Sequence, residues 1–563
     1  MSWVFLGLAV AALWINLMGV GLAGRRLVDD LPIARVAGVL AICLCCFFLE
    51  QFVGFGPHPP LLPLTTAASL WLIWRDRREL LKCWRAEALF IAGFSYCLLW
   101  RYASPDIDAT GEKMPNLMMI EGYMRGTRLP APDLWLPPFR ANFYYSFQHY
   151  CASLAGRLLG VGPGVSYHLA YCTLVGFVTL LMGSCVARLC SWRPGRLVCI
   201  LTLLVGGSGS VVAAHVLFVH PGMLVAVRFL GESILHEPAN RLGARLVPLM
   251  ETTGSDPRDL PMEPMSYVIA NGDYHPPLAG YLLLALASAL IAAQEAGAAG
   301  RARRVNHALL AATVPLALIS DAWVFPLLCI LVGGWFAYRM LSLEQGYLVP
   351  ALAGLAAATV LEYPYLLEFT RQAIGNNAAL GLTQPGDRTP WLGWCLTFWP
   401  VAGIMALGFL DRERRPLTLF LVAIWALELA ATEFLYNHDV YGGMWIRFNS
   451  TLKWWGWVFA GIILTLGAKN LGSRSWLCRY GTMLLLLPCL VFAVDLHRYY
   501  NVVSRSGTRG YFDGSGWLNR DPIARDMVIV LASRPDGVTV ESGIKMENTQ
   551  SPALTLFAGK QSL

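Results

Sequence analysis

The chain has 563 residues, 56% of them hydrophobic and 14% charged, with a formal net charge of +7 and a mean hydropathy of +0.51. That balance excludes a water-soluble core, and basic residues spread over short loops exclude a nucleic-acid surface. Apolar runs of roughly 20 residues, the length that crosses a bilayer, recur from end to end and predict an all-α polytopic membrane protein.

The first run, "WVFLGLAVAALWINLMGVGLAG", has no positive n-region and no small-residue cleavage site before a polar chain. It reads as a retained span and not a signal peptide. Basic clusters at 24–26, 75–85, 300–304, 411–415 and 469–479 mark cytoplasmic sides. The connections 101–142, 219–275, 372–389 and 437–449 then fall outside, as does everything after about residue 497.

Parity constrains two segments. "FYYSFQHYCASLAGRLLG" (143–160) carries Gln148, His149 and Arg157 and is expected to lie as an amphipathic helix on the outer surface. Residues 307–340 must leave on the side they entered, which two short half-helices broken near "ISDAW" would achieve. The expectation is about twelve to fourteen membrane helices, half-helices included. Residues 1–85 read as a three-helix extension, 86–496 as the core and 497–563 as an outer segment. In that segment "DMVIVLASRPDGVTVES" suggests strand, turn and strand in a small α/β appendage. The fourteen cysteines mostly sit in apolar runs and read as buried small residues.

Ionisable residues at membrane depth are costly and mark function. Asp106, Asp108, Glu112 and Lys113 follow a predicted span. The acids suit a general base, or ligation of a divalent cation through hard oxygens. In "NGDYHPPLAGY", Asp273 and His275 precede a Pro-Pro helix start whose bare N–H groups suit a phosphate. In "EFLYNHDVYGGMWIRFNSTLKWWGW" (433–457), Arg447 and Lys453 are a natural grip for a lipid-linked phosphate, with His438, Asp439 and Asn449 nearby. Asp321 beside Trp323 is a fourth candidate. Tyr144 and Tyr145, with His149, offer rings that stack on a sugar. For each group the plainer reading is a solvated loop face, an N-cap or a snorkelling cation.

These segments, in this order, resemble the YYY-type membrane protein family, found mostly in archaea and bacteria. The resemblance rests on "GEKMPNLMMIEGYMRGTRLPAPDLWL", "NFYYSFQHY", "NGDYHPPL", "DAWVFP" and, most specifically, "RFNSTLK". Phe143 and Ser146 depart from the family's tyrosine run, Asp321 stands before the Trp and not after it, and Asn116 stands where the family often has an acid. The tail ends earlier than the family's. That family in turn resembles the GT-C superfamily of polyprenyl-phosphate-sugar-dependent glycosyltransferases. The resemblance implies a GT-C-like bundle in a prokaryotic plasma membrane, with an extracytoplasmic active face. It implies sugar transfer from a polyprenyl-phosphate donor to an acceptor, with membrane lipids as the other partners. Asp106, Asp108 and Glu112 are then the candidates for the base. Lys113, Arg447, Asn449 and Lys453 fall on family motifs that would hold the donor. A divalent cation, Mg or Mn, is compatible with this chemistry without being required by it. A flippase for a lipid-linked saccharide and a non-catalytic scaffold in polysaccharide assembly are the alternatives.

Overall fold

The computed structural model describes residues 3–57, 60–108, 112–136, 138–141, 145–217, 246–249, 258–342, 346–371, 380–389, 391–411, 414–438, 446–505, 508–535 and 553–561. Eight described helices are long and apolar enough to span a bilayer: Trp3–Gly24, Leu31–Glu50, Pro163–Leu189, Pro277–Glu295, Leu348–Arg371, Arg415–Phe434, Phe448–Leu471 and Trp476–Asn501. Phe325–Leu341 and Gly393–Gly408 are shorter apolar helices, while Trp84–Ala103 and Gly300–Ser320 have span length but carry more polar residues. The only described strands are three two-stranded antiparallel ladders, each at most four residues long. The protein is an all-α polytopic membrane protein.

Local sequence sets the helix ends. Asp30 accepts a hydrogen bond from the Ile33 amide, and Pro32 occupies the first turn, where its missing N–H costs nothing. Pro277 opens the helix to Glu295 in the same way. The Phe147–Leu159 helix stops at Gly160, which takes the left-handed conformation at φ +64°.

That helix has 13 residues and does not span. It is not an interfacial helix either. Gln148, His149 and Arg157 are buried, and the helix is walled in by Leu31–Glu50, Lys113–Met124 and Pro163–Leu189. Its polar residues have interior partners: Arg157 forms a two-pronged ion pair with Glu50 at 2.8 and 3.0 Å, both residues at most 1% exposed. Phe47 packs on Phe147, Tyr150 and Tyr365.

Two further expectations are corrected. The region around "ISDAW" is not a pair of half-helices. It is a helix of 21 residues, Gly300–Ser320, and one of 17, Phe325–Leu341, joined by a turn at Asp321. Pro315 removes one N–H inside the first helix without ending it, because continuing the helix satisfies every other backbone group where no water is available. In the tail, "DMVIVLA" is helical within Pro522–Ala532. Asp521 accepts from the Ile523 and Ala524 amides and Pro522 starts the turn, so the capping signal overrides the β-branched run. The expected turn and second strand lie outside the described residues.

Helix direction sorts the loops. The Trp84 helix ends, and the Lys113, Phe147, Pro277, Phe325 and Phe448 helices begin, at one end of the bundle. The basic stretches 75–85 and 300–304, with Arg414, Arg415 and Lys469, lie at the other.

Candidate functional site at the convergence of five helix starts

The segment Gly272-Asp273-Tyr274-His275 is the hub. Arg101, fully buried, donates to the Ile269 and Ala270 carbonyls at the end of the short Met265–Asn271 helix, a cation on a negative helix terminus. Gly272 follows with φ +73°, and a Cβ there would stand 1.3 Å from the Arg101 guanidinium. Only glycine fits this position. Tyr167 then receives the Tyr274 amide at 2.7 Å and donates to the Gly272 carbonyl at 2.9 Å. The turn that presents Asp273 is therefore pinned from both sides.

Asp273 draws the first acidic group to this hub. Its Oδ2 accepts the Glu112 backbone N–H at 2.9 Å, and its Oδ1 accepts the Asn116 amide at 2.8 Å. The Asn116 Oδ1 lies 2.8 Å from His149 Nε2, which also lies 3.1 Å from the Tyr274 carbonyl. Burial lowers the His149 pKa to about 3, so this imidazole is neutral and gives its Nε2–H to those acceptors. Asn116 thus links His149 to Asp273. An acid in its place would set two carboxylates against each other.

Beyond Asp273 the site turns cationic. His275 Nε2 is 3.4 Å from Glu263 Oε2, and its Nδ1 is 3.9 Å from Asp273 Oδ2. Burial opposes protonation of His275, but Asp273, Glu263 and Glu112 outweigh it and raise its pKa to about 9. Burial, with Glu112, raises the Asp273 carboxyl, while His275 and Lys113 pull it down.

Asp321 closes the cluster. It is fully buried, and no side chain among the described residues donates a hydrogen bond to its carboxylate, which has only the Trp323 backbone amide beside it. A Cβ on Gly280 would lie 2.4 Å from its Oδ2, so the missing side chain lets the acid rest against the first turn of the Pro277 helix. Burial raises the Asp321 pKa to about 6 against the pull of Lys453 and His275. The Lys453 ammonium lies 4.5 Å from the centre of the Trp323 ring, and Trp454 donates to the Trp323 carbonyl at 2.6 Å.

The remaining predicted residues are placed as follows. Asp106 is half-buried, its Oδ2 accepting from Thr508 at 2.9 Å, and burial raises its carboxyl. Lys113 reaches the Asp106 carbonyl and Asp108 Oδ1, both at 3.4 Å. Glu112 is exposed at the rim. Arg447 is buried and taken up elsewhere. It pairs with Glu433 at 3.2 Å and donates to the Asp387 and Thr432 carbonyls. It therefore does not share the partners of Lys453, six residues on. Asn449 is half-buried in the first turn of the Phe448 helix, Tyr145 is half-buried just before the Phe147 helix, and His438 is exposed with Nε2 2.9 Å from the Tyr436 hydroxyl. Tyr144 and Asp439 lie outside the described residues. Among the described residues no three His, Cys, Asp or Glu side chains are arranged to hold a metal.

Sequence reasoning missed Glu263, Arg101, Tyr167 and the structural role of Asn116. A lone acid in "LPMEPMSY" was the available signal for Glu263. The others are single polar residues in apolar helices, where nothing local tells a ligand from a brace.

The chain matches the family described as "Uncharacterized membrane protein (DUF2298)" over residues 44–505. No curated protein and no solved structure matches it. A match over most of the chain, from the second membrane helix to the end of the last, makes this protein a member of the DUF2298 family of membrane proteins.

Proposed function

We propose that this protein is an integral-membrane glycosyltransferase that moves a sugar from a polyprenyl-phosphate donor to an acceptor hydroxyl or amine. The observation that carries the reading is the meeting, at one pole of the bundle, of a buried carboxylate that no side chain bonds with Lys453, His275 and several helix N-termini. Anions are stabilised where helix N–H groups and cations converge. The acceptor attacks the anomeric carbon, the bond from that carbon to the phosphate oxygen breaks, and the leaving electron pair goes to the lipid phosphate. Lys453 and the His275 imidazolium neutralise that phosphate, and Asp321 takes the acceptor proton. Glu112, at the rim, is placed to meet the acceptor first. The pole carrying the cluster is the extracytoplasmic one in this reading, because the basic loops lie at the other, and the setting is a prokaryotic plasma membrane.

The test is a panel of radiolabelled polyprenyl-phosphate sugars incubated with purified protein, following release of the lipid phosphate. The rate is expected to rise as Asp321 ionises near pH 6 and to fall as His275 loses its proton near pH 9. If the protein moves lipid-linked sugar between leaflets and never releases lipid phosphate, it is a flippase instead.

A further inference from the structure

The tail segment 553–561 lies against the helix Lys113–Met124, whose beginning places the Glu112 amide and Asn116 on Asp273. Within the tail, Ala553–Phe557 is a short helical turn with Ala553, Leu554, Thr555 and Leu556 buried. It closes at Gly559, φ +69°, where the Lys560 amide returns to the Thr555 carbonyl at 2.9 Å. A Cβ on Gly559 would stand 3.2 Å from Glu121 Oε1, so the turn rests directly on that acid. Arg125, four residues beyond Glu121, donates to the Gly559 carbonyl at 3.2 Å. Phe557 meets the Trp517 ring edge to face, with centres 6.3 Å apart.

Glu121 is buried, and its Oε2 has no hydrogen-bond partner among the described residues. The charged and titratable groups on the elements around it are directed elsewhere. On the helix Phe147–Leu159, His149 is bonded to Asn116 and Arg157 to Glu50. On Pro163–Leu189, His168 packs against Phe512. In the 131–141 ladder, Asp133 accepts from the Trp135 and Leu136 amides and Arg140 donates to the Pro130 carbonyl. Lys560 of the tail donates to the Arg534 carbonyl. Arg125 is the charged group that acts on Glu121, and an acid four residues before an arginine on one helix is the favourable order for an ion pair. Arg125 therefore has two acceptors to choose between, the Gly559 carbonyl and the Glu121 carboxylate. We infer that Glu121 is the proton-operated catch of a clasp: while neutral it leaves Arg125 on the Gly559 carbonyl and the tail seated, and when ionised it draws Arg125 away and releases the tail from the helix that carries Glu112 and Asn116. Burial raises the Glu121 pKa from 4.5 to about 8 against the pull of Arg125. The seated tail thus holds the proton more tightly than the released one. Seating is strongest below about pH 4.5 and weakens as pH rises through about 8, where the seated form itself loses its proton to water. The clasp does not depend on the reaction proposed above.

The experiment is hydrogen exchange on the full-length protein in nanodiscs, read on peptides covering 553–561. The Ala558, Gly559 and Lys560 amides, which close the turn, report its seating. Each rate is divided by the intrinsic exchange rate at the same pH. Protection is expected to fall as pH rises from about 5 to about 8 and to level off above, by at most about tenfold per pH unit because one proton is involved. Glu121→Gln, a neutral side chain of the same shape, is expected to keep protection constant over that range. Arg125→Gln, which spares the acid, is expected to lower protection even at the acid end. Constant protection in the unaltered protein overturns the proposal. So does a fall that Glu121→Gln shares, or full protection in Arg125→Gln at the acid end. Should Glu121→Gln fail to fold, the unaltered protein and Arg125→Gln still decide.

Discussion

Arg447 and Lys453 sit six residues apart near the start of one helix, and their surroundings differ in kind. Arg447 has a carboxylate, two carbonyls and a hydroxyl within hydrogen-bond reach. Lys453 has an aromatic face and, nearby, an acid to which no described side chain donates a hydrogen bond. A buried charge met by an opposite charge and by carbonyls holds the protein together. A buried acid that no side chain bonds costs free energy, and Asp321 differs from Glu362 and Glu428, which are equally bare, in having Lys453 and His275 close enough to pull its pKa down. The Glu50–Arg157 and Lys469–Asp411 pairs belong with Arg447. The Asp321 turn belongs with the site.

The comparison breaks most visibly at Asp321. Asp321→Asn is expected to lower lipid-phosphate release by roughly 10²–10⁴-fold, the usual worth of a general base. Its melting temperature in detergent should hold or rise, because a buried charge without a partner is removed. A large loss of stability would put Asp321 with the braces. Glu433→Gln is expected to do the opposite, costing about 3 kcal/mol in chemical unfolding by leaving the Arg447 charge buried and under-partnered. A smaller loss, about 1–3 kcal/mol, is expected for Gly272→Ala, which meets the Arg101 guanidinium and strains a positive φ. That variant should also lose activity through Asp273, and crystallisable stability with full activity would contradict the hub.

How much of this was legible beforehand follows from which signals are local. The spans, the Pro-Pro helix start and the candidate residues at 112–113, 273–275, 321 and 453 could be read because charge is conspicuous in an apolar chain. That Glu112 and Asn116 meet Asp273 across 157 residues or more could not, because register between helices is set by packing alone. Arg447 shows the limit: in sequence it looks as accessible as Lys453, and only the fold reveals that Glu433 has claimed it. The tail strand fails for a different reason: the Asp521-Pro522 cap lies just before the quoted run, and it prevails over the β-branched "MVIVL".

A further expected effect concerns pH. His275 has its folded pKa raised to about 9 from 6.5. Its imidazolium therefore contributes stability in full below about pH 6.5, and that contribution is lost as pH rises through about 9. Thermal unfolding followed between those limits should show a downward slope that His275→Gln flattens. An unchanged slope would mean that the carboxylates around His275 do not hold it charged.

The account stands most directly on one measurement, lipid-phosphate release by two variants side by side: Lys453→Met, and the double variant Arg447→Met with Glu433→Met. Replacing a whole buried pair with apolar side chains is often close to neutral for folding. The expected result is that Lys453→Met abolishes release while the double variant retains most of it. Equal loss in both, or loss in the double variant alone, would contradict the division between brace and site.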